Sequence, residues 1–288
     1  MSDRTLNVAL VQMRSGRDVA ANVATLERMV REAAGKGAQY VQTPENSTIM
    51  DEDKARLIAN TQTEDLSPAL PTFRQLAREL GIWLHIGSMA VATGTGKLAN
   101  RAFLIAPTGA IAARYDKIHM FDVDLGGGET YRESRNFEAG GEAVIADLPL
   151  GRLGLSICYD LRFPHLYRAL AQAGADILAV PSAFTRQTGE VHWHTLLRAR
   201  AIENGAYVLA AAQGGRHENG RETFGHSLIV GPNGDVIAEA GIEPCVLTAE
   251  LDLSRVQDFR RKLPSLTHDR AYSGPSTVPA KARIGAVK

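Results

Sequence analysis

A cysteine with the surroundings of a nucleophile stands in the second half of the chain. Cys158 follows the apolar run Leu153–Ile157, which predicts a strand, and precedes a helix predicted to begin at Pro164. A thiol at such a turn is exposed at the carboxyl edge of a sheet, beside helix N-terminal amides that stabilise a thiolate or an oxyanion. Free cysteines are also often small buried apolar residues, so this position alone leaves that alternative open.

Two charged residues are predicted to reach the same kind of sheet edge. Glu45 directly follows the predicted strand Tyr40–Thr43, where its carboxylate can act as general base toward a thiol or a water. Lys117 ends the strand that begins at Ile111 and brings an ammonium group there. Each of these residues, taken alone, also fits an ordinary solvated surface position. The second cysteine, Cys245, lies inside an apolar strand and is interpreted as structural.

Short-spacing motifs for metals and nucleotides are missing from the sequence. Eight histidines are present, but no H-E-x-x-H motif and no Cys/His pair at zinc spacing occurs. His192 and His194 are two residues apart, which places their imidazoles on opposite sides of a helix. No Walker A, G-x-S-x-G or G-x-G-x-x-G motif follows a predicted strand. We therefore expect neither a metal nor a cofactor.

The composition is that of a globular protein without a strong electrostatic field. The 288 residues include 32 Lys+Arg and 32 Asp+Glu, so the formal charge is zero and we expect neither nucleic acid nor a membrane as partner. No apolar run approaches the roughly 18 residues that span a bilayer. Two cysteines build no disulfide framework and no signal-peptide pattern opens the sequence, which together predict a cytoplasmic location.

Short runs rich in Val and Ile alternate with amphipathic stretches along the chain, which is the pattern of strands alternating with helices. We interpret this pattern as one α/β domain over residues 1–272, with two strand-rich halves that face each other, followed by a C-terminal arm over 273–288. The segment Lys117–Gly141 has no sustained period and is predicted to be a long functional loop. The predicted helices are Ala20–Ala34, Pro71–Leu80, Pro164–Ala173 and Trp193–Glu203.

Three sequence boxes together resemble a known family. They are Pro44-Glu45 after a strand, Tyr-x-Lys-x-His over 115–119, and Cys-Tyr-Asp-x-Arg-Phe-Pro over 158–164. In this order and at these separations they resemble the nitrilase superfamily of carbon–nitrogen hydrolases. Within it, the sequence most resembles the branch of amidases that act on deaminated glutathione, and it resembles the ω-amidases less. Thr43 before Pro44 and Asn46 after Glu45 depart from the usual pattern, which bears on substrate range more than on reaction type.

The resemblance implies a four-layer αββα sandwich that assembles into a homodimer or a larger homo-oligomer. It implies that Glu45 takes the proton of Cys158 and that the thiolate attacks an amide carbon to form a thioester. Lys117 and the backbone N–H of Tyr159 stabilise the oxyanion in this scheme. No metal or cofactor takes part.

The family also has a second glutamate after the lysine. Glu133 matches it best and Glu129 is the alternative.

A small anionic amide is the expected substrate, because the implied branch cleaves such amides. Substrate contacts are assigned to Tyr159, Arg162, Ser182 and Phe184. Arg162 is expected to pair with a substrate carboxylate; the alternative is that it pairs with Asp160 or caps a carbonyl to hold the turn.

Rival functions are an ω-amidase, an N-carbamoyl amino-acid hydrolase and a scaffold without activity. The scaffold is disfavoured because the glutamate, lysine and cysteine are all present.

Overall fold

The computed structural model describes residues 5–149 and 151–277. Strands and helices alternate along most of this length. The strands are β1 (Thr5–Gln12), β2 (Tyr40–Gln42), β3 (Trp83–Ala92), β4 (Leu98–Ile105), β5 (Ile111–Asp116), β6 (Asp122–Asp124), β7 (Thr130–Arg132), β8 (Phe137–Glu138), β9 (Ile145–Leu148), β10 (Gly151–Gly154), β11 (Ile177–Ala179), β12 (Tyr207–Ala210), β13 (Gly214–Arg216), β14 (Glu222–Phe224), β15 (Leu228–Val230), β16 (Val236–Glu239) and β17 (Cys245–Asp252).

The α-helices are α1 (Val19–Gly35), α2 (Lys54–Ala59), α3 (Ala69–Leu80), α4 (Pro164–Gln172), α5 (Arg186–Asn204) and α6 (Ser254–Lys262). Short 3₁₀ turns cover Glu64–Leu66, Glu133–Arg135, Cys158–Arg162 and Ser265–Thr267. Local signals set several helix ends. The Asp18 carboxylate accepts the Ala21 amide at 3.1 Å and caps α1, while Gly81, in the left-handed region, ends α3.

The first sheet has the strand order β17–β1–β2–β3–β4–β5, and β8 pairs with β4. β2 and β3 are parallel, whereas β4 is antiparallel to both β3 and β5. The carboxyl ends of β2 and β5 therefore meet at the same edge of this sheet. Glu45 follows β2 and Lys117 follows β5, so this edge receives both side chains, as the strand-end positions in the sequence predicted.

The second sheet has the strand order β16–β15–β12–β11–β10–β9. Its three central strands, β10, β11 and β12, are parallel. The chain leaves the carboxyl end of β10 toward Cys158, and the next two strands end near residues 180 and 211. This edge of the second sheet thus supplies the nucleophile turn and the segments beside it.

The two sheets pack face to face with helices on both outer sides. Side chains of β1 show the period of two: Leu6, Val8 and Leu10 enter the core between the sheets, whereas Ala9 and Val11 face the helical side. Buried faces of α1 and α3 cover the first sheet, and those of α4 and α5 cover the second. This order of layers confirms the predicted αββα sandwich.

The structure corrects two details of the predicted elements. The segment Lys117–Gly141 is not a continuous loop, because β6 and β7 form a hairpin within it and β8 joins the first sheet. Such short strands are too brief to show a period. The helix that was predicted to begin at Trp193 begins at Arg186, because the polar residues before Trp193 are helical as well.

The arm predicted over 273–288 falls largely on residues outside the described ranges. Within those ranges, no helix is long and apolar enough to cross a bilayer.

Gly87 on β3 lies tightly against the segments that follow β2 and β11 near the site. A Cβ built there would lie 2.0 Å from the carbonyl oxygen of Thr43 and 2.4 Å from Cβ of Pro181. We predict that Gly87→Ala lowers the free energy of unfolding by about 1–3 kcal/mol, because overpacking forces the backbone apart. Turnover should fall as well, since Thr43 leads directly to Glu45.

Gly35→Ala is the matched control for this prediction, because a Cβ on Gly35 would have no atom within 4 Å. It should leave turnover unchanged and stability equal or slightly raised, by up to about 1 kcal/mol. Urea unfolding and steady-state kinetics of both variants measure these effects. Equal stability of the Gly87 and Gly35 variants would contradict the assigned close approach.

Candidate active site

Cys158 occupies a tight turn between β10 and α4. Its backbone lies in the left-handed region, with φ 49°, which is unfavourable for a residue with a Cβ by about 1–2 kcal/mol. The Cys158 amide donates to the carbonyl of Pro181 at 2.9 Å, and the 3₁₀ turn starts at this residue. The predicted strand-to-helix turn is thus present, and the cysteine side chain is 7% exposed.

Asp160 connects this turn by hydrogen bonds to the segment that carries Lys117. The fully buried carboxylate accepts the Tyr115 hydroxyl at 2.7 Å and the Ile157 amide at 2.8 Å on one oxygen. On its other oxygen it accepts the backbone amide of His119 at 3.0 Å and contacts the His119 ring Nδ1 at 2.7 Å. These contacts fix Tyr115 and His119, which flank Lys117 in sequence, and so hold the segment that carries it.

The Lys117 ammonium lies between two carboxylates. Its Nζ is 2.8 Å from Oε1 of Glu45, and 3.0 and 2.8 Å from the two oxygens of Glu133. Glu129, the alternative for the second glutamate, instead accepts the hydroxyl of Tyr131 at 2.7 Å. The structure thus brings Glu45, Lys117 and Glu133 together.

Three further donors satisfy the two carboxylates. The Asn100 amide donates to Oε1 of Glu45 and to Oε1 of Glu133, both at 3.0 Å. The Ala183 backbone amide donates to Oε2 of Glu45 at 2.8 Å, and the Phe121 amide donates to Oε2 of Glu133 at 2.7 Å. Buried charges require such partners, and this network supplies them.

The pKa values in this cluster favour a neutral thiol facing a charged carboxylate. Burial would raise the pKa of Glu45, but the Lys117 charge and the hydrogen bonds from Lys117 and Cys158 outweigh it and lower this pKa. Burial and the Glu45 charge raise the pKa of Cys158 well above its ordinary value. Burial would lower the pKa of Lys117, yet the charges of Glu133 and Glu45 raise it. Glu45 is therefore charged and able to accept the thiol proton.

The first amide after the cysteine is open to a ligand. Within the described residues, the Tyr159 N–H donates to no acceptor, as expected at the first turn of a helix. Together with the Lys117 ammonium it can stabilise negative charge that develops on an oxygen beside Cys158.

A cavity of about 880 Å³ opens above this cluster. Its wall combines aromatic rings with both signs of charge. The lining includes Glu45, Asn46, Met50, Asp51, Glu52, Lys54, Lys117, Phe121, Tyr131, Arg132, Glu133, Arg135, Asn136, Cys158, Tyr159, Phe184, Thr188 and Arg221.

Two of the four predicted substrate contacts lie on this wall. Tyr159 and Phe184 line the cavity. Ser182 is fully buried and its hydroxyl donates to the carbonyl of Val180 at 3.0 Å. The structure therefore does not bring Ser182 to the cavity.

Arg162 is likewise not among the residues that line the cavity, and within the described part of the chain its side chain forms neither of the expected contacts, with Asp160 or with a carbonyl. Its guanidinium carbon lies 5.9 Å from the ring centre of Tyr159 and 5.2 Å from that of Phe184, while its Nη atoms lie 3.3 and 3.4 Å from Nδ1 of His192. Arg162 thus supports two rings of the wall from outside.

Sequence reasoning missed Asn100, Asp160 and Arg221 as site residues. Asn100 and Arg101 are adjacent polar residues in an otherwise apolar strand, so the pattern did not single out Asn100. Arg221 lies in a polar turn that carries no motif, so its contact with the site could not be found. Within the described ranges, the side-chain group spaced for a metal ion lies outside this cavity.

Comparison with known proteins agrees with the fold. The model of the carbon–nitrogen hydrolase family matches residues 7–261. A deaminated glutathione amidase of Yersinia enterocolitica is 39% identical over 279 residues, which cover 96% of each chain.

Two solved structures share the architecture. The Caenorhabditis elegans NitFhit protein is 38% identical with a TM-score of 0.85, and the match covers 94% of this chain but only 66% of that longer protein. Saccharomyces cerevisiae Nit3, described as a nitrilase-superfamily member, is 28% identical with a TM-score of 0.84 over 93% of this chain and 97% of its own.

The chain therefore belongs to the carbon–nitrogen hydrolase family, which confirms the resemblance seen in the three boxes. It is a hydrolase that acts on amide C–N bonds other than peptide bonds.

We predict that Asn100→Leu moves the acid limb of the kcat/KM profile to higher pH. The two lost hydrogen bonds stabilise charged carboxylates, so their removal raises the pKa of Glu45, and the active, deprotonated form is lost earlier as the pH falls. Hydrogen bonds to charged groups contribute about 1.5–3 kcal/mol, which corresponds to roughly one to two pH units.

Asn204→Leu is the control for this prediction. Asn204 is also buried, but its amide donates to the carbonyl of Arg200 on α5. This variant should lose stability without a shift of the acid limb. An unshifted limb in the Asn100 variant, with the fold intact by circular dichroism, would show that Asn100 does not tune Glu45.

Proposed function

We propose that this enzyme is an amidase that cleaves anionic amides through a cysteine thioester. The observation that carries the proposal is the contact of Lys117 with both Glu45 and Glu133 in a cavity that Cys158 also lines. A nucleophile, a base and a cation on the wall of one cavity are the parts that acyl transfer needs.

The first half of the reaction forms the acyl-enzyme. Glu45 takes the proton of the Cys158 thiol as sulfur attacks the amide carbon, and the carbonyl oxygen becomes an oxyanion. The Lys117 ammonium and the Tyr159 N–H stabilise this charge; a single donor of this kind contributes about 3 kcal/mol in other acyl-transfer sites. The C–N bond then breaks, Glu45 returns the proton to the leaving nitrogen, and a thioester remains on Cys158.

The second half of the reaction releases the acid. Glu45 takes a proton from a water molecule, whose oxygen attacks the thioester carbon. The C–S bond breaks, and the Cys158 sulfur leaves with the proton from Glu45. Glu133 keeps Lys117 charged and in position throughout, since it contacts the ammonium with both of its oxygens.

Arg221 supports an anionic substrate. Its Nη2 donates to the carbonyl of Ala183 at 2.7 Å and its guanidinium carbon lies 4.9 Å from the ring centre of Tyr131. Among the residues that the structure describes, its buried Nε has no hydrogen-bond partner and its guanidinium forms no ion pair. A positive charge on the cavity wall that is ion-paired with no carboxylate of the described residues is a fitting partner for a substrate carboxylate.

Deaminated glutathione is the substrate that we propose. The Yersinia enterocolitica relative carries the name of an amidase for this compound. Glutathione without its amino group is an amide with two carboxylates, which suits a cavity of about 880 Å³ with an unpaired arginine on its wall. The smaller 2-oxo acid amides of the ω-amidases are the rival substrates.

Assembly and location are proposals as well. We propose a homodimer or larger homo-oligomer, supported by the exposed apolar side chains of Val191 (69%) and Ile202 (45%) on α5. We propose the cytoplasm as the location, because both described cysteines are free thiols and the mechanism needs Cys158 reduced.

Cys158→Ala and Cys245→Ala test the reaction. The first should abolish release of the acid and amine products from deaminated glutathione, because Cys158 is the one thiol among the described residues that line the cavity with Glu45 and Lys117. The second should keep kcat/KM within about twofold, since Cys245 lies on β17 away from the cavity.

Product release is measured by chromatography with deaminated glutathione, 2-oxo acid amides and N-carbamoyl amino acids as substrates. The kcat/KM values of the unmodified enzyme then rank these substrates. Equal loss in both folded cysteine variants would remove Cys158 as nucleophile. A higher kcat/KM for another class would replace the proposed substrate.

Arg221→Met tests recognition of the carboxylate. KM for anionic amides should rise at least about tenfold, because a charge-assisted contact is lost, while KM for a neutral aliphatic amide changes little. Arg162→Met is the control, and it should affect both substrate classes equally, since Arg162 only supports the rings of Tyr159 and Phe184. A charge-selective loss in the Arg162 variant alone would move the carboxylate contact to that residue.

A further inference from the structure

A second group of chemically active side chains lies outside the cavity. His194 stands midway along α5, His226 precedes β15 and Glu239 ends β16. Oε1 of Glu239 is 2.9 Å from Nε2 of His194 and 2.8 Å from Nδ1 of His226. The three donor atoms all lie within 4.8 Å of one another. The amidase chemistry proposed above does not use this group.

The His226 ring is held in place by its backbone and by packing. Its φ of 52° places it in the left-handed region, and this conformation is fixed on both sides. Its amide donates to the carbonyl of Gly241 at 2.8 Å, and its carbonyl accepts the Trp193 indole N–H at 2.8 Å. The ring stacks on Phe224 with centres 4.4 Å apart. The imidazole therefore points at Glu239 without needing to reorganise.

The His194 ring is placed by the helix next to Trp193. Its centre lies 6.0 Å from that of Phe224, edge to face, and 5.9 Å from that of His226. The His194 and Glu239 side chains are 38% and 36% exposed, so both can adjust by a few tenths of an ångström and a water can reach the group.

We propose that His194, His226 and Glu239 form a binding site for a divalent transition-metal ion, with Zn²⁺ as the preferred occupant. Two imidazole nitrogens and one carboxylate oxygen are a ligand set that Zn²⁺ takes, with water in the fourth position. In a tetrahedral site with bonds of 2.0–2.1 Å, ligand atoms lie about 3.3 Å apart. Here the carboxylate oxygen lies 2.9 and 2.8 Å from the two nitrogens, and all three atoms lie within 4.8 Å of one another, so small side-chain movements suffice to bind an ion. Mg²⁺ and Ca²⁺ favour oxygen ligands and are not expected to bind.

An ion at this site would join α5 to the second sheet. The ligands come from α5, from the segment before β15 and from β16, so binding stabilises the packing of helix on sheet. The expectation of no metal rested on short motif spacings, whereas these ligands lie 13 and 45 residues from Glu239 in sequence. That distribution explains why the sequence alone carries no signal for the site.

Zinc uptake by the full-length protein tests the proposal. The protein carries no affinity tag and contains Cys158→Ala, so that the active-site thiol takes up no metal. Equilibrium dialysis against micromolar free Zn²⁺, with zinc measured by atomic spectroscopy, is applied to this parent and to His194→Gln and Glu239→Gln made in it. His192→Gln, two residues away on the same helix, is the matched control.

We expect one Zn²⁺ per parent chain and an affinity lowered at least about tenfold in the His194 and Glu239 variants, with no change in the His192 variant. Zn²⁺ should raise the thermal midpoint of the parent by roughly 5 °C at a hundredfold excess over Kd, and Mg²⁺ should not. Co²⁺ should give the visible absorption of a four-coordinate site.

Equal zinc uptake in all four proteins would overturn the proposal, because the ion would then bind elsewhere. No uptake by the parent at submillimolar free Zn²⁺ would also overturn it and leave the three residues as a hydrogen-bonded cluster. The Glu239→Gln variant keeps a hydrogen-bonding group of the same shape, so its loss of affinity separates metal ligation from folding.

Discussion

The buried ammonium of Lys117 is the constraint on which the site depends. It is 2% exposed and has to neutralise two carboxylates, so the cluster of Glu45, Lys117 and Glu133 holds two negative charges and one positive. Removal of one partner from a buried ion pair leaves an uncompensated charge that costs about 3–5 kcal/mol. The fold must therefore deliver every remaining donor, and it does so with one side-chain amide, that of Asn100, and two backbone amides.

These donors come from both sheets, which makes the packing of the sandwich part of the site. Asn100 lies on β4 of the first sheet, whereas the Ala183 amide follows β11 of the second. Asp160 provides a second connection between the two sheets. Its carboxylate accepts hydrogen bonds from Tyr115 on β5 of the first sheet and from the Ile157 amide, which follows β10 of the second. A shift of one sheet against the other would break the hydrogen bonds to Glu45 and to Asp160 at once. The distance from base to nucleophile is thus set by the core between the sheets.

Features that depend on local order along the chain were predictable from the sequence. The ends of predicted strands placed Glu45 and Lys117 at the carboxyl edge of the first sheet and Cys158 at that of the second, and Glu133 was placed by the family pattern. Contacts between distant segments were not predictable: Asn100 is 55 residues from Glu45 and 33 from Glu133. Arg162 was expected at the substrate because it lies one turn after the nucleophile, but its guanidinium instead packs on the ring of Phe184 and contacts the imidazole of His192.

A buried charge cluster is compatible with catalysis because the proposed reaction moves charge without changing its total. Proton transfer from Cys158 to Glu45 neutralises one carboxylate and creates one thiolate, so the net charge of the cluster stays at minus one. Attack on the amide then carries that charge from sulfur to an oxygen beside Lys117 and the Tyr159 N–H. Each step keeps the negative charge close to the ammonium, and the low polarity that raises the pKa of the resting thiol also strengthens the later interaction with the oxyanion.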